Sequence, residues 1–327
     1  MKVSVIIPAY NCEKTIEATL QSVLDQTVPP DEILVVDDGS TDSTPAILDR
    51  YRSQATIYRQ PNKGLARARN MLCERATGDM FAFLDSDDIW HRKYLEVMCK
   101  LRTEHPGAVA LFSGQVTFGG NAGYHWDSDP TAGTFPVDLI PQLSFFSRYH
   151  KTPGYFLPSF CCVPRDVMRC LGNEPFEPTL RRAEDLYFVG RIALFGSILY
   201  APIPLVAYRF SGSSLSAGRL PQAEAAVRAF ELLENHYSKI ADTTIRGVFQ
   251  AAFASKKRAY AKVLLGGGQT AKARAVLRSS LSNSRRFQSV AKSLALLLFT
   301  YLPDRLQPAW PTGPREWKEP GPRSRQI

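Results

Sequence analysis

Met80-Phe81-Ala82-Phe83-Leu84-Asp85-Ser86-Asp87-Asp88 decides the fold. Five apolar residues in an unbroken run read as a strand buried on both faces, as in a parallel sheet. The run then stops on acids. Working outward, Val3 to Ile7 and Glu32 to Val36 have the same apolar character, and Thr56 to Tyr58 reads as a weaker strand. Between them lie helical patterns over Thr15 to Gln26, from near Ser43, over Leu65 to Glu74 and over His91 to Glu104. Strand and helix in alternation predict an α/β fold with a doubly wound, mostly parallel central sheet. In such sheets ligands bind beyond the carboxyl ends of the strands.

Chemistry is therefore sought at those ends. The first strand runs into Pro8-Ala9-Tyr10-Asn11, and G-x-G-x-x-G is absent, which argues against NAD or FAD. The second runs into Asp37-Asp38-Gly39-Ser40-Thr41-Asp42. That segment reads equally as a turn with a helix cap and as a carboxylate facing a base edge or ribose. At Asp85-Ser86-Asp87 the alternation of an extended chain aims both acids the same way. Mg²⁺ or Mn²⁺ held by one or two carboxylates and substrate phosphates uses such an arrangement, which a solvated turn does not need. Trp90 just beyond reads as packing.

Asn62-Lys63-Gly64-Leu65-Ala66-Arg67-Ala68-Arg69-Asn70 opens a helix on which Arg67 and Arg69 cannot share a face. One of them can reach a phosphate while the other is solvated. Arg181-Arg182-Ala183-Glu184-Asp185 starts another helix, predicted over Ala183 to Phe195. Acids in a first turn suit the helix dipole by themselves, and a carboxylate beside a cleft also suits a general base. Strands are predicted at Ile198 to Tyr200 and Leu205 to Phe210, whereas 113–180 reads as a loop-heavy insertion.

Composition limits the class. The chain has 327 residues, 44% hydrophobic and 22% charged, which suits a folded protein and excludes collagen-like or wholly disordered classes. Its net charge of +9 is uneven: residues 240–327 hold 16 Lys/Arg against 4 Asp/Glu. Nucleic acid is not the expected partner, because that segment has no aromatic-interleaved strand and no reading helix. Six cysteines without a CxxC pair, and no signal-like or spanning apolar stretch, point to a reduced cytoplasmic protein. Leu294 to Leu302, apolar and flanked by Lys292 and Arg305, suits either a buried helix or peripheral contact with an anionic membrane.

The ordered set PAYN, VVDDGSTD, NKGLARARN, FLDSDDIW, RRAEDLYFVGR (181–191) and YRFSGSSLS (208–216) resembles the family 2 glycosyltransferases. These are inverting enzymes of the GT-A nucleotide-sugar fold. The resemblance covers about residues 2–216. It implies that Pro8, Ala9 and Tyr10 line the nucleotide pocket and Asp38 meets the base edge. Arg69 would lie near the diphosphate, and Asp85 with Ser86 at the ribose or sugar. Asp87 would bind the divalent metal, Mn²⁺ or Mg²⁺. Asp185 of the Glu184–Asp185 pair would be the base that deprotonates the acceptor hydroxyl. Ser211 stands where many members carry histidine.

The resemblance further implies a nucleotide-sugar donor, a UDP-sugar, and a glycan or lipid-linked acceptor, as in cell-surface polysaccharide assembly. The other class in view is a non-catalytic nucleotide-sugar-binding or scaffold protein that retains the fold. Nucleotidyltransfer would want a glycine-rich basic loop after the first strand, which PAYNCEK lacks. The expected division is a GT-A domain at 1–218 (donor half about 1–112, acceptor half about 113–218), a helical region at 219–302 and a disordered tail at 303–327.

Overall fold

The computed structural model describes residues 1–119, 124–126, 128–132, 135–151, 156–210, 218–282 and 287–301. Its first part alternates β1 (Val3–Ala9), α1 (Ile16–Leu24), β2 (Glu32–Asp37), α2 (Thr44–Asp49), β3 (Thr56–Arg59), α3 (Leu65–Arg75) and β4 (Met80–Phe83). These strands pair in parallel in the order β3-β2-β1-β4. Every residue of β1 and β4 is buried, which explains their unbroken apolar runs. Thr56 and Arg59 of β3 are exposed, as suits a strand at the edge of the sheet.

The segment expected to be loop-rich instead supplies strands to the same sheet. After β5 (Ile89–Trp90) and α4 (Tyr94–Glu104) come β6 (Ala110–Gly119), β7 (Asp138–Ile140), α5 (Gln142–Lys151) and β8 (Cys161–Pro164). Then follow α6 (Arg165–Leu171), α7 (Glu184–Ile192) and β9 (Ile198–Phe210). The full order is β3-β2-β1-β4-β8-β6-β9-β5, with β7 on β9. β8 is antiparallel to both β4 and β6, while β6 and β9 are parallel. The two strands expected at 198–200 and 205–210 are one, because the prolines between them sit at a bulge. Register shifts flank Gly114 there, and a Cβ on Gly114 would lie 3.0 Å from the Ile203 carbonyl oxygen.

Helices α8 (Arg219–Tyr237), α9 (Thr243–Gly266), α10 (Thr270–Ser282) and α11 (Phe287–Phe299) follow. The chain forms two compact units: Met1–Ser211 with Ala229–Phe249, and Gly212–Arg228 with Gln250–Ile327. The first unit's N-terminal stretch ends at Ser211, and it also takes in Ala229–Phe249. Phe230, Tyr237 and Phe249 pack their rings on Phe146 at 5.2 to 5.4 Å. Ser211 and the expected tail at 303–327 lie outside the described residues.

Candidate active site

Three strand exits meet at one end of the sheet. Pro8 and Ala9 are buried at the end of β1, and Tyr10 turns out with 49% of its surface exposed. Asn11 takes a left-handed backbone, φ 47, which Asn tolerates better than most residues. It ties the exits of β1 and β2 together. Its amide N–H donates to Ser40 Oγ at 2.9 Å, and its Oδ1 accepts from the Thr41 N–H at 2.8 Å.

The Asp38 carboxylate, expected at a base edge, accepts three hydrogen bonds from the chain itself. Oδ1 accepts from Gln60 Nε2 at 2.7 Å and the Lys63 N–H at 2.9 Å, and Oδ2 from the Gly64 N–H at 2.8 Å. At 4% exposure this carboxylate braces the NKG loop, and Asp37 is buried beside it. The contact needs a glycine: Gly39 has φ 78, and a Cβ there would fall 2.6 Å from the Asn62 nitrogen.

Beyond β4 the acidic loop is fastened at nearly every residue. The Asp85 N–H donates to Ser159 Oγ at 2.9 Å, and Thr15 and Thr19 hydroxyls donate to the carbonyls of Ser86 and Asp88. From β9, Arg209 donates its N–H to Asp88 Oδ1 at 2.9 Å and its Nε–H to the Asp87 carbonyl at 2.8 Å. Asp88 is fully buried, and its Oδ2 has no hydrogen-bond partner among the described residues. Asp85, Ser86 and Asp87 are half-buried. Burial, then the Asp85 charge, pushes the Asp87 carboxyl up to about 6. Trp90 packs as expected, 2% exposed and stacked on Tyr94 at 4.0 Å.

Arg69 joins this loop to α7. Although helix-surface arginines are commonly solvated, its side chain is 2% exposed, and Arg67 is the exposed one of the pair. Its guanidinium reaches Asp85 Oδ1 at 2.5 Å and Glu184 Oε1 at 3.1 Å and lies over the Phe176 ring at 5.2 Å. Burial alone would lower its pKa, and the two carboxylates more than offset that. Glu184 is held up to about 7 by burial and by Asp185, against the opposing pull of Arg69. Asp185 is likewise raised by burial, despite a hydrogen bond from the Leu186 N–H at 2.7 Å. Ala183, just before the pair, is in the left-handed region at φ 59.

The structure thus gathers Asp85, Glu184 and Arg69 in direct contact, with Ser86, Asp87 and Asp185 adjoining them in the chain. It also involves Ser159, Asn70 and Arg209, which were not singled out from the sequence. Asn70 and Arg209 do stand inside the NKGLARARN and YRFSGSSLS stretches, so those signals existed. A cleft of about 590 Å³, lined by Ser22, His91, Tyr124 and Trp126 among others, contains none of these acids.

The model for "Glycosyl transferase family 2" matches residues 4–170. An Escherichia coli UDP-Glc:alpha-D-GlcNAc-diphosphoundecaprenol beta-1,3-glucosyltransferase, WfgD, is 44% identical over 224 residues, 67% of this chain and 81% of its own. The Bacillus subtilis putative teichuronic acid biosynthesis glycosyltransferase TuaG is 45% identical over 113 residues, 33% of this chain and 45% of its own. The match to E. coli WfaP spans 36% of that protein, so these last two relatives are covered by less than half. Among solved structures, S. aureus TarS 1-349 in complex with UDP-GlcNAc superposes with TM-score 0.67 at 20% identity, covering 92% of this chain and 89% of that one. A Pyrobaculum calidifontis mannosyltransferase in complex with GDP-Man and Mn2+ gives 0.55 at 21% identity, over 91% and 80%. The fold is that of the GT-A enzymes, and with half its length matched by the family model and a relative 44% identical over four fifths of its own length, the chain belongs to glycosyl transferase family 2.

Proposed function

We propose that the chain is an inverting glycosyltransferase that moves a sugar from a UDP-linked donor to a hydroxyl of a glycan or lipid-linked acceptor, in cell-surface polysaccharide assembly. One observation carries this reading. A buried arginine binds the acid at a strand exit and the acid pair 115 residues further on, so the donor loop and the base share one rigid frame. The names of WfgD and TarS's bound ligand supply the donor class.

In this reading Asp185 takes the acceptor proton as the oxygen attacks the anomeric carbon. The carbon–oxygen bond to the diphosphate breaks on the opposite face, and its electron pair leaves with the nucleotide. The raised pKa of Asp185 makes it a stronger base than a solvated aspartate. Glu184, clamped by Arg69, positions it. Asp38 shapes the nucleotide loop, Pro8 and Ala9 floor the pocket, and the exposed Tyr10 ring offers a face for the base. Asp85 and Ser86 meet the ribose or sugar.

Asp87 is the proposed ligand for Mn²⁺ or Mg²⁺. Clustered acids with an orphaned buried oxygen on Asp88 suit a hard cation. Among the described residues no three acidic, histidine or cysteine side chains could hold an ion alone, so donor phosphates would complete the set. When bound, the metal offsets charge on the departing diphosphate. Excess Mn²⁺ with UDP should raise the melting temperature of the wild type but not of Asp87→Ala.

A panel of nucleotide sugars, turned over by wild type, Asp87→Ala and Asp185→Asn, tests the whole reading. Loss of at least about 100-fold in both variants is expected, and undiminished transfer would refute the assigned site. We also place the protein at the cytoplasmic face of the cell membrane as a peripheral enzyme. Among the described residues no helix is long and apolar enough to cross a membrane.

A further inference from the structure

Helix α11 is packed inside out. Its most buried residues are polar: Ser289 is 9% exposed, Ser293 0% and Thr300, in the turn that ends the helix, 2%, flanked by the half-buried Val290, Leu296 and Leu297. Arginines from α9 and α10 hold these hydroxyls. Arg258 donates to Ser289 Oγ at 3.0 Å and Ser293 Oγ at 3.1 Å, and Arg274 donates to Thr300 Oγ1 and to its carbonyl at 3.1 and 2.6 Å. The outward side carries the large apolar groups. Leu294 is 43% exposed, Leu298 68%, Phe299 41% and Tyr301 54%. At 100° per residue these four, with exposed Ala291 and Ala295, fill one continuous arc.

A helix that buries serines and shows leucines to the outside needs an apolar partner on that face. Charge identifies the partner. Residues 250–301 contain ten Lys/Arg and not one Asp/Glu. Exposed Lys292 borders the apolar arc, and exposed Arg278 donates to the Tyr301 hydroxyl at 2.9 Å, while Arg274 lies 4.0 Å from its ring centroid. Apolar groups rimmed by a tyrosine and by cations match the boundary between acyl chains and anionic headgroups. The arc runs from 291 to 301, far short of the ~20 residues that cross a bilayer, so the helix would lie along the surface.

We infer that the outward face of α11 is the membrane-docking surface of this protein, inserting Leu294, Leu298 and Phe299 into the leaflet while Lys292, Arg274 and Arg278 meet anionic headgroups. This deepens the proposed peripheral location and is independent of the donor assignment. The test is flotation of the full chain with vesicles of phosphatidylcholine alone or with about one-third phosphatidylglycerol. Wild type should float with the anionic vesicles only, and about 0.5 M salt should weaken that binding. Leu294→Glu/Leu298→Glu should cut the bound fraction at least tenfold with UDP binding intact, which also shows that the first unit is folded. Equal flotation of wild type and variant would overturn the proposal. So would a wild-type dimer that the same changes dissociate, with no flotation of either form, since a second copy would then cover the face. Wild type that floats with the anionic vesicles but binds no UDP would count against the proposed donor and leave this surface standing.

Discussion

Asn70 and Phe176 exchange two hydrogen bonds. Asn70 Nδ2 donates to the Phe176 carbonyl at 2.7 Å, and the Phe176 N–H donates to Asn70 Oδ1 at 2.9 Å. Phe176 is fully buried, stacks on Phe188 at 4.0 Å and presents its ring to Arg69. The last residue of NKGLARARN thus fixes the chain that leads to the Glu–Asp pair. Asn70→Ala strands a buried N–H and a buried carbonyl, at roughly 1–3 kcal/mol each. We expect urea denaturation to show a loss of about 2–4 kcal/mol, and Asn70→Asp to give no rescue because it still lacks the donor. A loss below about 0.5 kcal/mol would mean that solvent reaches Phe176.

Arg69 is harder to replace. Lysine keeps the charge but lacks the planar fork that serves Asp85 and Glu184 together. Arg69→Lys should therefore fold, with kcat down about 100-fold and a smaller change in KM, because the pair is displaced rather than removed. Arg69→Met leaves two carboxylates facing each other without a cation and should cost about 3–5 kcal/mol of stability. Wild-type kcat in the lysine variant would show that the bridge is structural only.

The parts that sequence made legible are those set by local pattern. β1, β2 and β4 are unbroken apolar runs because both faces are covered, and their acidic exits stand out against them. β6 and β8 were not legible. Ser113-Gly114-Gln115 and Cys161-Cys162-Val163-Pro164 lack strand-like patterning, and their place in the sheet comes from partners far along the chain. The same reason hid the role of Arg69. On one helix it looks like any arginine, and only the fold brings Glu184 to it. Asp38 is a related case: its motif reads equally as a turn and as a ligand, and only tertiary contact shows that Gln60 to Gly64 engage it. α11 was legible as apolar, but which side faces outward was not.

Stability should depend on pH through the raised carboxyls. Glu184 is held at about 7 against an ordinary 4.5, so the folded chain binds its proton more tightly than the unfolded chain. Its contribution is complete below 4.5 and is lost as pH rises through 7, amounting to at most about 3 kcal/mol. Asp87, at about 6 against 3.8, acts in the same direction at somewhat lower pH. Urea midpoints of the metal-free protein should fall from pH 4.5 to 7.5, and Glu184→Gln should fall less steeply. Identical slopes for the two proteins would show that Glu184 is ionised throughout.

Ala183 offers a test of strain beside the base. Its φ of 59 and ψ of 22 lie in the left-handed region, which costs an alanine roughly 1–2 kcal/mol. Its carbonyl nevertheless accepts the first helical hydrogen bond of α7, from the Tyr187 N–H at 3.2 Å. Glycine would remove the strain but also a methyl that is 5% exposed, worth about 0.8 kcal/mol, so Ala183→Gly should be close to neutral in stability. The freed turn should still lower kcat several-fold, since Glu184 and Asp185 follow it directly. Ala183→Val adds a β-branched side chain to a conformation that excludes it and should lose more than about 2 kcal/mol. If glycine instead destabilises by that amount while valine is tolerated, the turn does not hold the acid pair through its backbone.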